Sequence, residues 1–345
     1  MKKILVTGGL GYIGSHVVVE LQKEGCEVII IDNLSNSNVE MLDRIAGITG
    51  VEAIFEDIDL RDRALVAEFF KRYLDIDGVI HFAALKSVGE SVNKPLLYYQ
   101  NNVNSLVYLL QEMEKAGLRN IIFSSSCTVY GQAEKMPITE TAIEKEPESP
   151  YGRTKQIGEK LIRDACNTDK PFNSISLRYF NPIGAHPSSE IGELPVGTPQ
   201  NLVPYITQTA IGSREKLLVF GDDYPTRDGT CIRDYVHVVD LAKAHVVAIK
   251  RLFQKETYGS YEFFNIGTGV GVTVLEVIKA FEEVTGIDIN YSVVDKRPGD
   301  VISAYADTKK AKTTLGWSHQ YSLKEALNSA WEWQKGGGKG LLKNG

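Results

Sequence analysis

The 345-residue chain is 43% hydrophobic and 24% charged, with a net charge of −6 at pH 7; this composition excludes a disordered or low-complexity protein and leaves room for one large or two modest cores. The acidic balance provides no broad basic surface, so nucleic acid is not an expected partner and any anionic ligand must be met by a few local arginines. Cys26, Cys127, Cys166 and Cys231 are scattered without a C-x-x-C pair, which argues against a zinc site or a disulfide framework and for a reduced, cytoplasmic setting.

Lys3 to Thr7 reads as a short buried strand, and Gly8, Gly11 and Gly14 follow it at G-x-x-G-x-x-G spacing into a helix. That is the pattern of a dinucleotide cradle. Gly8 supplies the positive φ of a tight turn, Gly11 lets the backbone approach a pyrophosphate, and Gly14 lets the helix pack closely on the strand. The phosphates sit on the helix N-terminus. Glycines alone are weak evidence, but a second apolar strand, Val28 to Ile31, ends at Asp32, close to the ~20-residue spacing at which a carboxylate meets the adenosine ribose hydroxyls. An acid there repels a 2′-phosphate, so the expected cofactor is NAD.

Strand and helix patterns then alternate: a strand near Val51 to Phe55, a helix near Asp62 to Tyr73, a strand Gly78 to Phe82, a long helix from Pro95 to about Lys115, and a strand Asn120 to Ser124. A helix near Pro150 to Cys166 leads to a strand Ser174 to Tyr179. Repeated strand-helix units with nearly continuous apolar strands imply a parallel sheet covered on both faces. We therefore expect an α/β fold: a doubly wound, Rossmann-type parallel sheet over residues 1–180 that binds NAD, and a smaller C-terminal α/β substrate domain over 181–345. Between them runs a Gly-, Pro- and Ser-rich loop from Ile183 to Pro199. Helical patterns recur near Asn201 to Ser213, Val238 to Phe253, Val274 to Thr285 and Leu323 to Trp333, the last with Ser322-x-x-Glu325 as a capping box and a core-facing apolar stripe. Residues from 336 onward are expected to fray. No apolar run approaches about 18 residues and Lys2-Lys3 precede too short an apolar stretch for a secretory signal, so no membrane association is expected.

Tyr151 and Lys155 begin a helix capped by Ser149 with Pro150 in its first turn, and share one face. A tyrosine acting as base at neutral pH needs its pKa of ~10 lowered by roughly 3 units, which a cation about 4 Å away supplies at an effective dielectric of ~20. Taken alone such a pair is an ordinary exposed contact; after a dinucleotide cradle it reads as catalytic. Ser126, at the carboxyl edge of the fifth strand, is the candidate partner for the reacting oxygen. Cys127 reads as packed. His81 and His237 lie in apolar strand-like runs and read as structural; no H-E-x-x-H or Cys/His cluster supports a metal.

The blocks Thr7-Gly8-Gly9-x-Gly11-Tyr12-Ile13-Gly14-Ser15-His16, Asp32-Asn33-Leu34-x-Asn36-Ser37, His81-Phe82-Ala83-Ala84-x-Lys86, Ser124-Ser125-Ser126-x-Thr128-Val129-Tyr130-Gly131, Tyr151-x-x-x-Lys155, Arg178 to Pro187, and Arg233-Asp234-Tyr235-x-His237-Val238 occur in order along the chain. Together they resemble the UDP-glucose 4-epimerase family of extended short-chain dehydrogenase/reductases. The resemblance implies that Tyr151, Lys155 and Ser126 are catalytic. It implies NAD contacts at Gly8, Gly11, Tyr12, Ile13, Gly14, Asp32, Asn33, Asn36, Ser37, Asp57, Ile58, Phe82, Ala83, Ala84, Lys86, Asn101 and Phe180, with Ser126, Tyr151 and Lys155 beside the cofactor. It implies a UDP-sugar site made by Asn181, Asn201, Leu202, Leu218, Val219, Phe220, Arg233, Arg297, Asp300 and Ala304, with Lys86, Ser126 and Tyr151 at its border. Arg233 and Arg297 suit a diphosphate as planar, permanently charged donors.

The implied activity is reversible C4 epimerisation of UDP-hexoses through a 4-keto sugar and NADH, by a homodimer built through the helices near Pro95 to Lys115 and Pro150 to Cys166. In this family the position of Ala304 lies beside the hexose C2 substituent, and a residue smaller than tyrosine there implies that UDP-N-acetylglucosamine and UDP-N-acetylgalactosamine also fit. Two rivals stand beside this reading. A nucleotide-sugar 4,6-dehydratase or decarboxylase places acids just after the strand-end serine or threonine, where this chain has Cys127 and Thr128. A catalytically silent NAD-binding protein could lose Tyr151, Lys155 or Ser126, and all three are present.

Overall fold

The computed structural model describes residues 1–345 apart from 196, 255–258, 298–299 and 337–345. The fraying expected from 336 concerns residues 337–345, which lie outside the described residues. The first half runs β1 (Lys3–Thr7), α1 (Tyr12–Lys23), β2 (Glu27–Asp32), α2 (Met41–Thr49), β3 (Ile54–Asp57), α3 (Arg63–Arg72), β4 (Gly78–His81), α4 (Val88–Asn93), α5 (Pro95–Tyr99), α6 (Ser105–Lys115), β5 (Asn120–Ser126), α7 (Pro150–Ala165) and β6 (Asn173–Tyr179). The second half adds β7 (Asn181–Ile183), α8 (Leu202–Ala210), β8 (Leu217–Phe220), β9 (Ile232–Arg233), β10 (Tyr235–His237), α9 (Val238–Phe253), β11 (Tyr261–Ile266), β12 (Val272–Thr273), α10 (Val274–Thr285), β13 (Tyr291–Val294), β14 (Ser303–Ala304) and α11 (Leu323–Lys335).

A seven-stranded parallel sheet forms in the order β11-β6-β5-β4-β1-β2-β3. Its strands are apolar on both faces because helices cover both: Ile4, Val6 and Ile30 face α1 and α9, while Leu5, Ile29 and Ile31 face α3 and α6. The strand order reverses between β1 and β4, and at such a switch point a crevice opens outside the carboxyl ends of the strands. A second core, with Ile206, Val219, Phe281, Leu327 and Trp331, joins α8, α10, α11 and β8 into a smaller lobe across that crevice. Ser322 and Glu325 form the expected capping box.

Two expectations are corrected. The edge strand β11 and the helix α9 come from beyond residue 180 yet belong to the large sheet layer, so the chain crosses between lobes more than once. The helix expected over Pro95 to Lys115 is broken by a π turn at Gln100–Asn104. There the buried Asn102 accepts from the Leu85 amide at 2.9 Å and donates to the Leu85 carbonyl at 2.9 Å, tying the helix to the loop after β4. Such turns recur at functional sites.

Candidate active site

At the switch point Gly8 has φ +69°, and a Cβ on it would lie 2.8 Å from the amide nitrogen of Ala83, just past β4. A Cβ on Gly14 would run into the carbonyl of Gly8. Helix α1 starts at Gly11 with no side-chain cap and no acidic residue in its first turn, whereas Asp62, Ser149, Thr273 and Ser322 cap their helices with side chains. The first-turn amides of α1 are left to an anion. This geometry fits a dinucleotide pyrophosphate.

The residues expected at the adenosine side gather at the ends of β2 and β3. Asp32 is buried and accepts from the amides of Leu10 at 3.1 Å and Leu34 at 3.0 Å and from Ser37 Oγ at 2.7 Å. Asp57 stands in register beside it, with Ile58 buried behind. Asn33 donates to Asp59 at 3.1 Å, and Asn36 is exposed on the same loop. Phe82, Ala83 and Ala84 follow β4, with the Phe82 and Ala83 amides held on the Thr7 carbonyl at 3.0 and 3.1 Å. Asn101 donates to Asn102, which also donates to Thr154 in the catalytic helix at 3.1 Å. Asn102 carried no signal in the sequence; its bridge from Leu85 to Thr154 is seen only in the fold.

Ser149 caps α7 by accepting from the Gly152 amide at 3.2 Å, which sets Tyr151 and Lys155 one turn apart at the mouth of the crevice. Ser126 ends β5 facing Tyr151, and its Oγ also accepts from the Thr128 amide at 3.2 Å. The buried Lys155 donates from Nζ to the Ser124 carbonyl at 2.6 Å and lies 5.9 Å from the Tyr151 ring centre. Burial lowers Lys155 to about 8, opposed by the charge of Glu159. Within the protein alone, burial pushes the Tyr151 phenol up, and the hydrogen bond with Ser126 pulls it only partly back. The ammonium is directed at a carbonyl instead of the phenol, so desolvation dominates.

Behind this triad the fully buried Arg178 pairs with Glu159 and Glu144, and Glu159 accepts from Ser125 at 2.5 Å. That network pins β5 to α7. His81 bonds Thr7 Oγ1 at 2.8 Å and His237 accepts from the Val239 amide at 3.1 Å, the structural roles read from the sequence. Burial raises the Cys127 thiol to about 11.

Across the crevice Arg297 donates to Asp300 at 3.0 and 3.2 Å, Arg233 lies 3.5 Å from the same carboxylate, and the Arg297 guanidinium sits 5.4 Å over the Phe220 ring. Ala304 pairs in register with Arg233. Leu218 is half-buried, but Val219 points into the core of the smaller lobe, so only its backbone is free to meet a ligand. Asn181 stands on β7 after the buried Phe180, and Asn201 precedes Leu202 at the start of α8. Lys86 and Asn201 are joined through Glu193, a residue of the loop that carried no signal in the sequence.

With the geometry in place, the comparisons with known proteins are direct. A Bacillus subtilis UDP-glucose 4-epimerase is 50% identical over 331 residues, 96% of each chain. The chain belongs to the UDP-glucose 4-epimerase family. A family model described as GDP-mannose 4,6 dehydratase matches residues 5–330, spanning both lobes. The solved structure of a UDP-glucose 4-epimerase from Stenotrophomonas maltophila with bound NAD and formylated UDP-arabinopyranose superposes with a TM-score of 0.94 at 46% identity, covering 99% of this chain and 100% of that one. The Bifidobacterium longum enzyme in complex with NAD+ and UDP gives 0.94 at 44% identity, with 98% and 100% covered. Among the described residues no helix is long and apolar enough to cross a membrane.

Proposed function

We propose that this protein interconverts UDP-glucose and UDP-galactose by inverting C4 of the hexose. One arrangement supports the reading: the glycine cradle and the Tyr151–Lys155–Ser126 group lie at the carboxyl ends of β1 and β5, and Arg233, paired with Asp300, acts by its charge on Cys127 next to Ser126. NAD supplies, when bound, a reversible hydride acceptor whose positive ring also favours a phenolate on Tyr151. The cradle and the first turn of α1 would hold its pyrophosphate, and Asp32 its adenosine ribose. Tyr151 removes the proton of the 4-hydroxyl and later returns it, while Ser126 hydrogen-bonds the reacting oxygen. Lys155 keeps a positive charge beside the phenolate. Arg233 and Arg297, bridged by Asp300, would grip the diphosphate. A firm hold on UDP and a looser hold on the hexose lets the 4-keto sugar present either face.

Ala304 supports a wider substrate range. Its methyl is nearly buried in an apolar cluster with Val129, Tyr130 and Phe180 and adds little bulk there, and the neighbouring Tyr305 packs against Gly271. We extend the proposal to UDP-N-acetylglucosamine and UDP-N-acetylgalactosamine. Val92 on α4 and Leu96 on α5 are 56% and 80% exposed, an apolar surface that supports a homodimer. Four free cysteines favour a reducing cytoplasm.

Proton NMR of the purified protein with UDP-glucose tests the reading. UDP-galactose should accumulate to equilibrium; a 4-keto-6-deoxy product, or none, overturns it.

A further inference from the structure

Lys86, in the loop after β4, and Asn201, at the start of α8, belong to opposite lobes. One carboxylate oxygen joins them: Glu193 Oε1 accepts from Lys86 Nζ at 3.0 Å and from Asn201 Nδ2 at 2.7 Å. Asn201 makes no side-chain cap on its own helix, its amide being turned to Glu193 instead. The Glu193 side chain is only 10% exposed, although its lysine partner is 50% exposed. Its main chain is equally constrained. Trp333 Nε1 donates to the Glu193 carbonyl at 3.0 Å, and Gly192 lies against the Trp333 indole so closely that a Cβ would stand 2.5 Å from Cγ. Trp333 is buried, with the Arg44 guanidinium 5.5 Å over its ring. A fixed carboxylate in a crevice built for a diphosphate would repel that ligand unless its charge were matched, and Lys86 matches it.

We propose that Glu193 is a positioning residue that holds Lys86 and Asn201 in one arrangement and thereby links the cofactor side of the crevice to the sugar-nucleotide side; this rests on the functional reading above. Lysine carries a long flexible stem, and ordering it on ligand binding weakens affinity. Glu193 does that ordering during folding. Its effect therefore falls on ligand affinity, and the chemistry at Tyr151 is left nearly unchanged.

Glu193→Gln keeps an acceptor for Asn201 and removes the charge that holds Lys86. Steady-state kinetics with UDP-glucose should show KM raised by about 5- to 10-fold with kcat within about threefold of wild type. Calorimetric titration with UDP should show Kd raised by a similar factor. The melting temperature should stay within about 2 °C, which separates positioning from loss of fold. In a Lys86→Met background the same substitution should change KM little, since the group it positions is gone. Glu193→Asp, which keeps the charge, should recover part of the lost affinity. An unchanged or lowered KM and Kd in Glu193→Gln, or an effect that persists undiminished in the Lys86→Met background, overturns the proposal. If the wild type binds UDP but turns over no UDP-glucose, the functional reading fails, and the UDP titration still decides the role of Glu193.

Discussion

Lys155 Nζ donates to the main-chain carbonyl of Ser124 at 2.6 Å, two residues before Ser126 closes the same strand. The lysine is thus positioned by β5, and Tyr151 is hydrogen-bonded to Ser126 at the end of the same strand. Tyr151→Phe keeps the ring and removes the proton acceptor. Its kcat should fall by about 10²-fold or more while KM for UDP-glucose stays within about threefold, measured by coupled steady-state assay. Wild-type turnover in this variant would remove Tyr151 from the mechanism.

Asp32 accepts from two amides and Ser37, and those bonds aim its carboxylate at the crevice. The protein should purify with NAD(H) bound and epimerise without added cofactor, because the cycle returns the cofactor to its starting state. Denaturing the pure protein and assaying the supernatant measures this. Asp32→Asn should retain several-fold less NAD; an absolute requirement for added NADP in the wild type would contradict the reading of Asp32.

Ala304, which we propose lies beside the hexose, pairs in register with Arg233. Ala304→Tyr should abolish conversion of UDP-N-acetylglucosamine while keeping UDP-glucose activity within about tenfold. Kinetics of both proteins on both sugars check this. Equal N-acetyl activity in the variant, or none in the wild type, would displace the gate from Ala304.

Burial pushes His16 and His81 down to about 3, and His186, His237 and His245 to about 4. The unfolded chain titrates them near ~6.5, so the folded values lie below the unfolded ones and the folded state binds fewer protons in between. Their contribution to stability is fully present above about pH 6.5 and is lost as the pH falls toward 4. The melting temperature should decline across that window by calorimetry. His245 packs against Phe82 and Tyr179 with ring centres at 4.7 and 5.8 Å, and its Nε2 has no hydrogen-bond partner. His245→Phe should therefore melt at least as high as wild type at pH 7.5 and lose less on acidification. A steeper decline in the variant would count against this account.

Much of the crevice was legible because its signals are local. A glycine at positive φ and a serine accepting from an amide three residues on each act within a few positions, and Gly8 and Ser149 behave as read, while Asp32 ends β2 where the apolar run stops. The resemblance implies sugar-nucleotide contacts at Leu218, Val219 and Phe220 alike, but strand alternation turns the Val219 side chain inward. The partner of Lys155 was not legible either. Sequence spacing shows that Lys155 is near Tyr151, but not that its proton is given to the Ser124 carbonyl.

The alternation of strands and helices that builds the doubly wound sheet is legible in the sequence by itself, since backbone periodicity and caps are decided by neighbours along the chain, although α2 (Met41–Thr49) and α4 (Val88–Asn93) are not among the expected helices. The tertiary structure alone decided that β11 returns to the large sheet, that Asn102 bridges the Leu85 loop to Thr154, and that Glu193 joins Lys86, 107 residues away, to Asn201. Those contacts are set by the packing of distant segments such as Gly192 on Trp333, and no spacing rule in the chain encodes which buried carboxylate a given lysine will meet.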